Sequence, residues 1–347
     1  MDVTKVPDFD DLPEVKGMPQ GCAWGLFDKD GKKDLLGTIN FLTPEVIKGA
    51  YGEARDGVSV SLNWTLNAMG FPMPGRVHPT HKQMTLKEAG LSDGAGWDDE
   101  IHFNTQLSSQ WDSLVHWQHQ PSGLAYNGIK VTKEGLAAAN TASNTTPTLD
   151  HWHAVGGLVA RGVLIDYKEW AETKARAEGK TGNDAIAHPL DGHRITVEEI
   201  ETIAKDQGVE FRPGDVLIIR TGLTESLETP TPEVFAKLQN RKIPGMEGNM
   251  KSVKWLWNKH FAAVAGDAWA FEALPPVKED GSEAAVIDLV LHPWLLAMFG
   301  MPIGELWDLR ALSAHCKTSG RYSFMLTSVP LNIPGLIGSP PNALAVF

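Results

Sequence analysis

The alternation of apolar and polar residues along this chain predicts strands and helices in one fold. Apolar residues at every second position of residues 57–64 predict a strand with one buried face. Two continuous apolar runs, residues 158–165 and 216–221, are typical of strands that are buried on both faces. Strands of both kinds, separated by helical segments, indicate an α/β or α+β fold.

Threonine residues mark the starts of three predicted helices. Thr43 and Thr231 each precede a Pro-Glu pair, and threonine is a good N-cap while proline suits the first helical turn. Thr196 is followed three residues later by Glu199, which is the sequence pattern of a capping box. Gly208 is expected to end this last helix, because glycine adopts the left-handed conformation that commonly closes helices.

The length and composition predict one domain that spans residues 1–347. A chain of 347 residues with 42% hydrophobic residues can bury a large core. No linker rich in proline, glycine and serine divides it into independently patterned halves, and no internal repeat is visible. Residues 1–21 contain several prolines and little periodicity, so we expect an extended N-terminal segment there.

Charge and cysteine content exclude several classes of protein. The net charge of −12 and the lack of lysine and arginine clusters argue against binding to nucleic acids or anionic membranes. The chain shows no run of about 20 apolar residues and no secretory signal, so we expect a cytoplasmic protein. Its two cysteines, Cys22 and Cys316, are expected to be reduced and buried.

The candidate chemistry concentrates in residues 106–117. Gln106 and Gln110 lie four residues apart, Asp112 follows two residues later, and His116 follows after four more. A carboxylate can hold a cation or orient a base, and an imidazole titrates near neutral pH. The alternative is an ordinary buried strand that carries one Asp–His hydrogen bond.

This segment resembles the signature H-x-G-T-H-x-D-x-P-x-H-F of the cyclase superfamily, which includes bacterial kynurenine formamidase and isatin hydrolase. Asp112 and His116 match the signature directly, Ser109 replaces its threonine, and Trp117 replaces its terminal aromatic residue. Further stretches carry the resemblance through most of the chain, in the form found in fungi and some bacteria: residues 22–28, 35–40, 161–166, 211–222, 265–272 and 339–342. The resemblance implies the swivelling β/β/α fold, a sheet-based barrel with peripheral helices.

The departures from the signature fall on the metal ligands. Gln106 and Gln110 replace the two histidines that bind the divalent cation in these relatives, and amide oxygens bind zinc far more weakly than imidazole does. With Gln106, Gln110 and Asp112 as the candidate ligands, we expect either no metal or a weakly bound cation. Manganese, magnesium or calcium suits such oxygen ligands better than zinc does.

Downstream residues complete the candidate site through the same resemblance. His292 and Glu305 match a histidine and a glutamate that approach the metal in the formamidase branch. The alternative is that His292 caps or stabilises a helix that begins at Pro293 and that Glu305 is solvated. Candidate substrate contacts are the aromatic residues near these segments and the residues that follow His116: Trp111, Trp117, His119, Tyr126, Asn127 and Trp269.

These residues predict an enzyme that acts on a small, cyclic or aromatic molecule. The first hypothesis is hydrolysis of an arylformamide, cyclic imide or lactone by water that His116 deprotonates and Asp112 orients, with Gln110 as an oxyanion donor if no metal is present. The second is a cyclase, dehydratase or isomerase that removes a proton next to a carbonyl of an aromatic or polyketide-like metabolite. The third is a binding protein without catalysis.

The resemblance also implies assembly into a homodimer or homotetramer with the site near a subunit boundary. The N-terminal segment is compatible with this, because such a segment can gain order by packing across a neighbouring subunit.

Overall fold

Most strands in this computed structural model form a single large sheet. The structure describes residues 3–71, 75–180, 186–228, 230–278 and 280–347. Its strands are β1 (Ser59–Ser61), β2 (Thr80–Thr85), β3 (Trp97–His102), β4 (Gln110–Asp112), β5 (Leu158–Asp166), β6 (Arg194–Ile195), β7 (Val216–Arg220), β8 (Gly245–Met246), β9 (Ala263–Gly266), β10 (Ile303–Glu305), β11 (Ser323–Ser328), β12 (Gly338–Ser339) and β13 (Ala343–Val346). Nine of these described strands form a curled half-barrel in the order β1-β13-β11-β5-β7-β9-β10-β4-β12. The pairs β2–β3 and β6–β8 form separate small sheets.

Helices lie around this sheet. The α-helices of the described residues are α1 (Pro44–Tyr51), α2 (Lys133–Leu136), α3 (Tyr167–Ala177), α4 (Val197–Asp206), α5 (Leu223–Glu228), α6 (Pro232–Gln239), α7 (Met250–Asn258) and α8 (Arg310–Ser319). A π-helix spans Pro293–Phe299. Among these described elements every helix is too short or too polar to span a lipid bilayer.

The central strands β5, β7 and β9 are parallel and buried on both faces, as their continuous apolar runs predict. Side chains alternate between the two faces of a strand. Leu217 and Ile219 of β7 therefore pack with α4 and α7, whereas Val216 and Ile218 pack with aromatic residues such as Trp111 on the other face. The predicted α/β class is confirmed, with a core on each side of the sheet.

The predicted helix starts are confirmed, and the first strand is shorter than predicted. The side chains of Thr43 and Thr231 accept hydrogen bonds from backbone N–H groups three residues on, and Thr196 forms a capping box with Glu199. The strand predicted for residues 57–64 spans only Ser59–Ser61, because it lies at the edge of the sheet and pairs with β13 alone. Both cysteines are buried, as expected.

The N-terminal segment packs on its own chain. Val3, Val6, Phe9 and Leu12 are buried in the core on the α7 side of the sheet. The Phe9 backbone N–H donates to Asn258 Oδ1 at 2.8 Å, and the indole of Trp257 donates to a backbone carbonyl of the segment. The segment therefore gains its order without a neighbouring subunit and gives no support to the predicted oligomer, which stays a prediction.

Candidate active site

Antiparallel pairing of β4 with β10 assembles the first part of the site. The register places Glu305 opposite Gln110 and Ile303 opposite Asp112. Alternation along β4 directs Gln110 and Asp112 to one face and Trp111 to the other. The Gln110 amide Nε2 donates to Glu305 Oε2 at 2.9 Å, and all three polar side chains are buried.

His292 enters the same cluster from the residue before the π-helix. Its Nδ1 lies 2.8 Å from Glu272 Oε1, and its Nε2 lies 3.3 Å from Glu305 Oε1. Glu272 also accepts the backbone N–H groups of Val290, Leu291 and His292, at 2.8 to 3.0 Å. His292 lies at the N-cap position of the π-helix but its side chain makes no capping hydrogen bond, and Glu305 is only 3% exposed, so the expectation of a solvated Glu305 is wrong.

Gln106 links Asp112 to His116. Its Nε2 lies 2.6 Å from Asp112 Oδ1 and 2.8 Å from His116 Nδ1. The imidazole of His116 does not hydrogen-bond Asp112 directly, because its nearest ring nitrogen lies 3.9 Å from Asp112 Oδ2. Its side chain remains 22% exposed, while the side chain of Asp112 is fully buried. His116 and the half-buried Gln106 are therefore the members of this trio that solvent reaches.

Burial and neighbouring charges separate the proton affinities of the two histidines. Burial alone would lower the pKa of His292, but its hydrogen bonds to Glu272 and Glu305 outweigh burial and raise this pKa to about 10. Burial lowers the pKa of His116, and the negative charge of Asp112 only partly offsets this. Burial and the charge of Asp112 raise the pKa of Glu305. These directions favour a protonated His292 and a neutral His116 at neutral pH, and a divalent cation at His292 Nε2 would have to displace the proton from that nitrogen.

The cluster also has the composition of a divalent-cation site. Asp112, His292 and Glu305 each offer a ligand atom, and these three atoms lie within 4.8 Å of one another. Asp112 Oδ2 and Gln110 Oε1 are buried and find no hydrogen-bond partner among the described residues. The contact of His292 Nδ1 with Glu272 is the arrangement that orients metal-binding histidines. These residues fit a cation such as manganese, which accepts carboxylate, amide and imidazole ligands.

Comparison with known proteins identifies the family. The cyclase family matches residues 53–273, which is more than half of the chain. This chain belongs to the cyclase family. A solved structure described as a novel cyclase is 30% identical, with a TM-score of 0.74 and coverage of 94% of this chain and 99% of that chain. The resemblance inferred from residues 106–117 is thereby confirmed.

More distant solved structures share the fold of this cyclase-family chain. Isatin hydrolase A from Labrenzia aggregata, bound to benzyl benzoate, is 16% identical, with a TM-score of 0.55 and coverage of 87% of this chain and 97% of that chain. An isatin hydrolase bound to the product analogue thioisatinate is 13% identical, with a TM-score of 0.55 and coverage of 88% and 98%. A comparison with curated protein sequences found no match. The curled sheet with peripheral helices confirms the predicted fold.

One of the three predicted metal ligands lies in the cluster of possible ligand atoms, and the other two lie beside it. Asp112 belongs to the cluster of possible ligand atoms. Gln106 and Gln110 lie beside it, but each directs its amide N–H to a carboxylate, Gln106 to Asp112 and Gln110 to Glu305. The histidine and glutamate that complete the cluster, His292 and Glu305, come from distant parts of the chain.

Two of the predicted aromatic contacts lie near the cluster. The ring of Trp117 meets His292 edge to face with centroids 5.8 Å apart, and Trp117 Nε1 is buried without a partner among the described residues. Trp269 is half-buried in an apolar cluster that includes Leu107 and Leu306, the sequence neighbours of Gln106 and Glu305. Both rings are therefore compatible with an apolar wall beside the site.

The remaining predicted contacts lie elsewhere. Trp111 is fully buried on the opposite face of the sheet, where its indole donates to Ser328 Oγ. Tyr126 donates to Asp34 Oδ2 at 3.1 Å, and Asn127 donates to Asp28 Oδ1 at 2.6 Å. These three side chains hold parts of the core together, and the structure does not bring them to the polar cluster.

His119 lies in the turn that leads away from Trp117. Its Nδ1 contacts Ser122 Oγ at 2.9 Å, and its backbone N–H donates to the Leu124 carbonyl. Those hydrogen bonds close the turn, so the structure gives His119 a local structural contact and no contact with the polar cluster.

Sequence reasoning missed two residues of this region. Glu272, which holds His292, stands at the end of residues 265–272, a stretch that carries the family resemblance. Arg76 donates through Nη1 to the backbone carbonyl of Gln106. The sequence showed only an acidic residue in a stretch that carries the family resemblance and an isolated arginine. Neither feature indicates which residue it contacts.

Metal content gives a direct test of the donor set. We expect manganese or magnesium to bind after chelator treatment, and we expect Asp112→Asn to weaken manganese binding by more than about tenfold, because even second-shell partners contribute that much. Isothermal titration calorimetry measures the affinity. The control Glu100→Gln, at an exposed site on β3, should bind manganese as the wild type does. Stoichiometric zinc that resists chelation would contradict the preference for oxygen-binding cations.

Proposed function

We propose that this protein hydrolyses a cyclic or activated amide or ester, of the arylformamide, imide or lactone type. One observation carries the proposal: a partly exposed, neutral imidazole, His116, lies against a buried cluster of carboxylates. A neutral imidazole that solvent can reach is able to take a proton from an attacking water molecule. The buried carboxylates around it can stabilise the positive charge that this transfer creates.

Each residue of the cluster has a defined task in this proposal. His116 accepts a proton from water, and Asp112 stabilises the resulting imidazolium, since its charge already favours the protonated form. Gln106 Nε2 donates to Asp112 Oδ1 and to His116 Nδ1, so Nδ1 holds the lone pair of the neutral imidazole and must release the Gln106 N–H before it accepts a proton. A divalent cation held by Asp112, His292 and Glu305 would polarise the substrate carbonyl when bound. Gln110 is fully buried and donates to Glu305, so its assigned role as an oxyanion donor remains a prediction.

The shape of the neighbourhood favours a ring substrate. Trp117 and Trp269 are half-buried aromatic residues near the cluster, and flat rings pack well against aromatic side chains. Solved structures of the same fold include an isatin hydrolase bound to thioisatinate, which its description calls a product analogue. This likeness supports a hydrolase with a small cyclic substrate.

Oxygen-18 water distinguishes hydrolysis from the other reactions. We expect the protein to convert an arylformamide, a cyclic imide or an aryl lactone, and the acid product to carry one solvent oxygen, detected by mass spectrometry. Turnover without incorporation of solvent oxygen would replace the hydrolase with a cyclase, dehydratase or isomerase. Binding without turnover would favour a binding protein, although the shifted pKa values of His116, His292 and Glu305 are typical of catalytic sites.

A further inference from the structure

Described residues between β1 and β2 contact the segment that carries the candidate site. The Trp64 backbone N–H donates to Ser109 Oγ at 3.0 Å, and Ser108 Oγ donates to the Thr65 carbonyl at 3.0 Å. Further along the chain, Arg76 Nη1 donates to the Gln106 carbonyl. These contacts hold the guanidinium of Arg76 against the backbone of the residue that links Asp112 to His116.

The positive charge of Arg76 acts on the site itself. Burial is the main reason that the pKa of His116 is lowered and the pKa of Glu305 is raised, and the charge of Arg76 adds slightly to the first effect and opposes the second. Arg76 is half-buried and not fully solvated. A cation held against the Gln106 backbone favours negative charge beside the cluster.

This charge has no acidic partner in the part of the chain that the structure describes. The buried arginines of the sheet are different, because Arg161 pairs with Asp215 at 2.7 Å and Arg220 pairs with Asp166 at 2.9 Å. A guanidinium has five N–H groups, and the contact with Gln106 uses only one nitrogen. Arg76 therefore retains donors for an external acceptor.

The chemistry of the guanidinium indicates which acceptor fits. Its planar fork matches the two oxygens of a carboxylate, and such charge-assisted pairs are stronger than neutral hydrogen bonds. The protein as a whole carries a net charge of −12 and repels anions. An unpaired arginine beside the site counteracts that repulsion locally, where an anionic group would have to bind.

We propose that Arg76 binds a carboxylate group of the substrate, so that the substrate is an anionic ring compound whose reactive carbonyl lies beside His116. The substrate class rests on the proposed hydrolase function, whereas the carboxylate site rests on the position of Arg76 alone. Trp117 and Trp269 would pack against the ring, and Arg76 would fix its orientation through two parallel hydrogen bonds.

A matched pair of substrates tests the role of the carboxylate. 2-Formamidobenzoate carries the anionic group, and its methyl ester is neutral. We expect Arg76→Gln, which keeps an amide donor for the Gln106 carbonyl, to lower kcat/KM for the acid by about 10- to 100-fold, mainly through KM. The ester should change by less than about threefold. Arg76→Lys should give an intermediate loss, because it keeps the charge but not the fork.

The control removes an equal charge far from the site. Arg176 lies on the exposed face of α3, so Arg176→Gln should leave kcat/KM for both substrates unchanged. Equal losses for acid and ester in Arg76→Gln would overturn the inference, because Arg76 would then serve the reacting oxygen or the structure of the site. Unchanged hydrolysis of the acid would overturn it as well.

Equilibrium binding separates this inference from the proposed function. Benzoate and benzamide share a ring and differ in charge, and binding of either is measured by calorimetry without turnover. We expect wild-type protein to bind benzoate at least tenfold more tightly than benzamide, and Arg76→Gln to abolish this difference. If this result is found but no formamide, imide or lactone is hydrolysed, the proposed function fails and the carboxylate site stands. No preference for benzoate in the wild type would overturn the carboxylate site.

Discussion

Replacing His116 with alanine should lower kcat by roughly 10²- to 10⁴-fold, the range that a general base contributes. The imidazole is the one basic, partly exposed side chain of the Asp112–Gln106–His116 group, because Asp112 is buried and the amide of Gln106 is not a base. Fold and stability should change little, because the His116 side chain is partly exposed. Initial rates and circular dichroism of the purified variant measure the two effects.

Two comparisons make this result specific. Imidazole in the buffer should restore part of the activity of His116→Ala, since the space left by the side chain is open to solvent. His81→Ala, at an exposed position on β2, removes the same side chain and should keep wild-type activity. Full activity in His116→Ala would remove the proposed base and, with it, the proposed mechanism.

Replacing Glu272 with alanine should destabilise the protein by about 3–5 kcal/mol, the cost of leaving a buried charge without its partner. Glu272 is 1% exposed and accepts three backbone N–H groups in addition to His292 Nδ1. Its loss leaves the protonated His292 with Glu305 alone and leaves the three N–H groups unpaired. Urea unfolding followed by circular dichroism measures the change in the free energy of unfolding.

The conservative variant Glu272→Gln tests the same carboxylate at constant volume. An amide offers one acceptor oxygen, so its nitrogen would face backbone N–H groups, and we expect most of the stability loss to remain. Glu283→Ala, at an exposed position, should change stability by less than about 0.5 kcal/mol. Wild-type stability in Glu272→Ala would show that water replaces the carboxylate and that the glutamate does not hold His292.

The local part of the site was predictable because its residues are close in sequence. Asp112 and His116 lie four residues apart, and Gln106 lies only six residues before Asp112, so a short turn after β4 brings all three together. The same reason explains the success of the capping box at Thr196 and Glu199. Interactions within one turn depend little on how the rest of the chain folds.

Three predicted substrate contacts lie away from the polar cluster for physical reasons. Trp111 follows Gln110 on β4, and adjacent strand residues point to opposite faces of the sheet. Its closeness in sequence to Gln110 therefore does not bring its ring to the polar cluster. Tyr126 and Asn127 follow His116 by about ten residues, but beyond the turn at His119 the chain lies against residues 28–34. The two side chains donate there to Asp34 and Asp28 and not to the polar cluster.

The sequence by itself determined the family, the buried central strands, the helix starts and the proximity of Asp112 and His116. All of these depend on local spacing, hydrophobic periodicity or a short motif. Only the tertiary structure decided that Glu305 lies opposite Gln110, that Glu272 holds His292, and that Arg76 reaches Gln106. Those contacts join residues far apart in sequence, and they follow from sheet register and loop packing, which depend on the whole core at once.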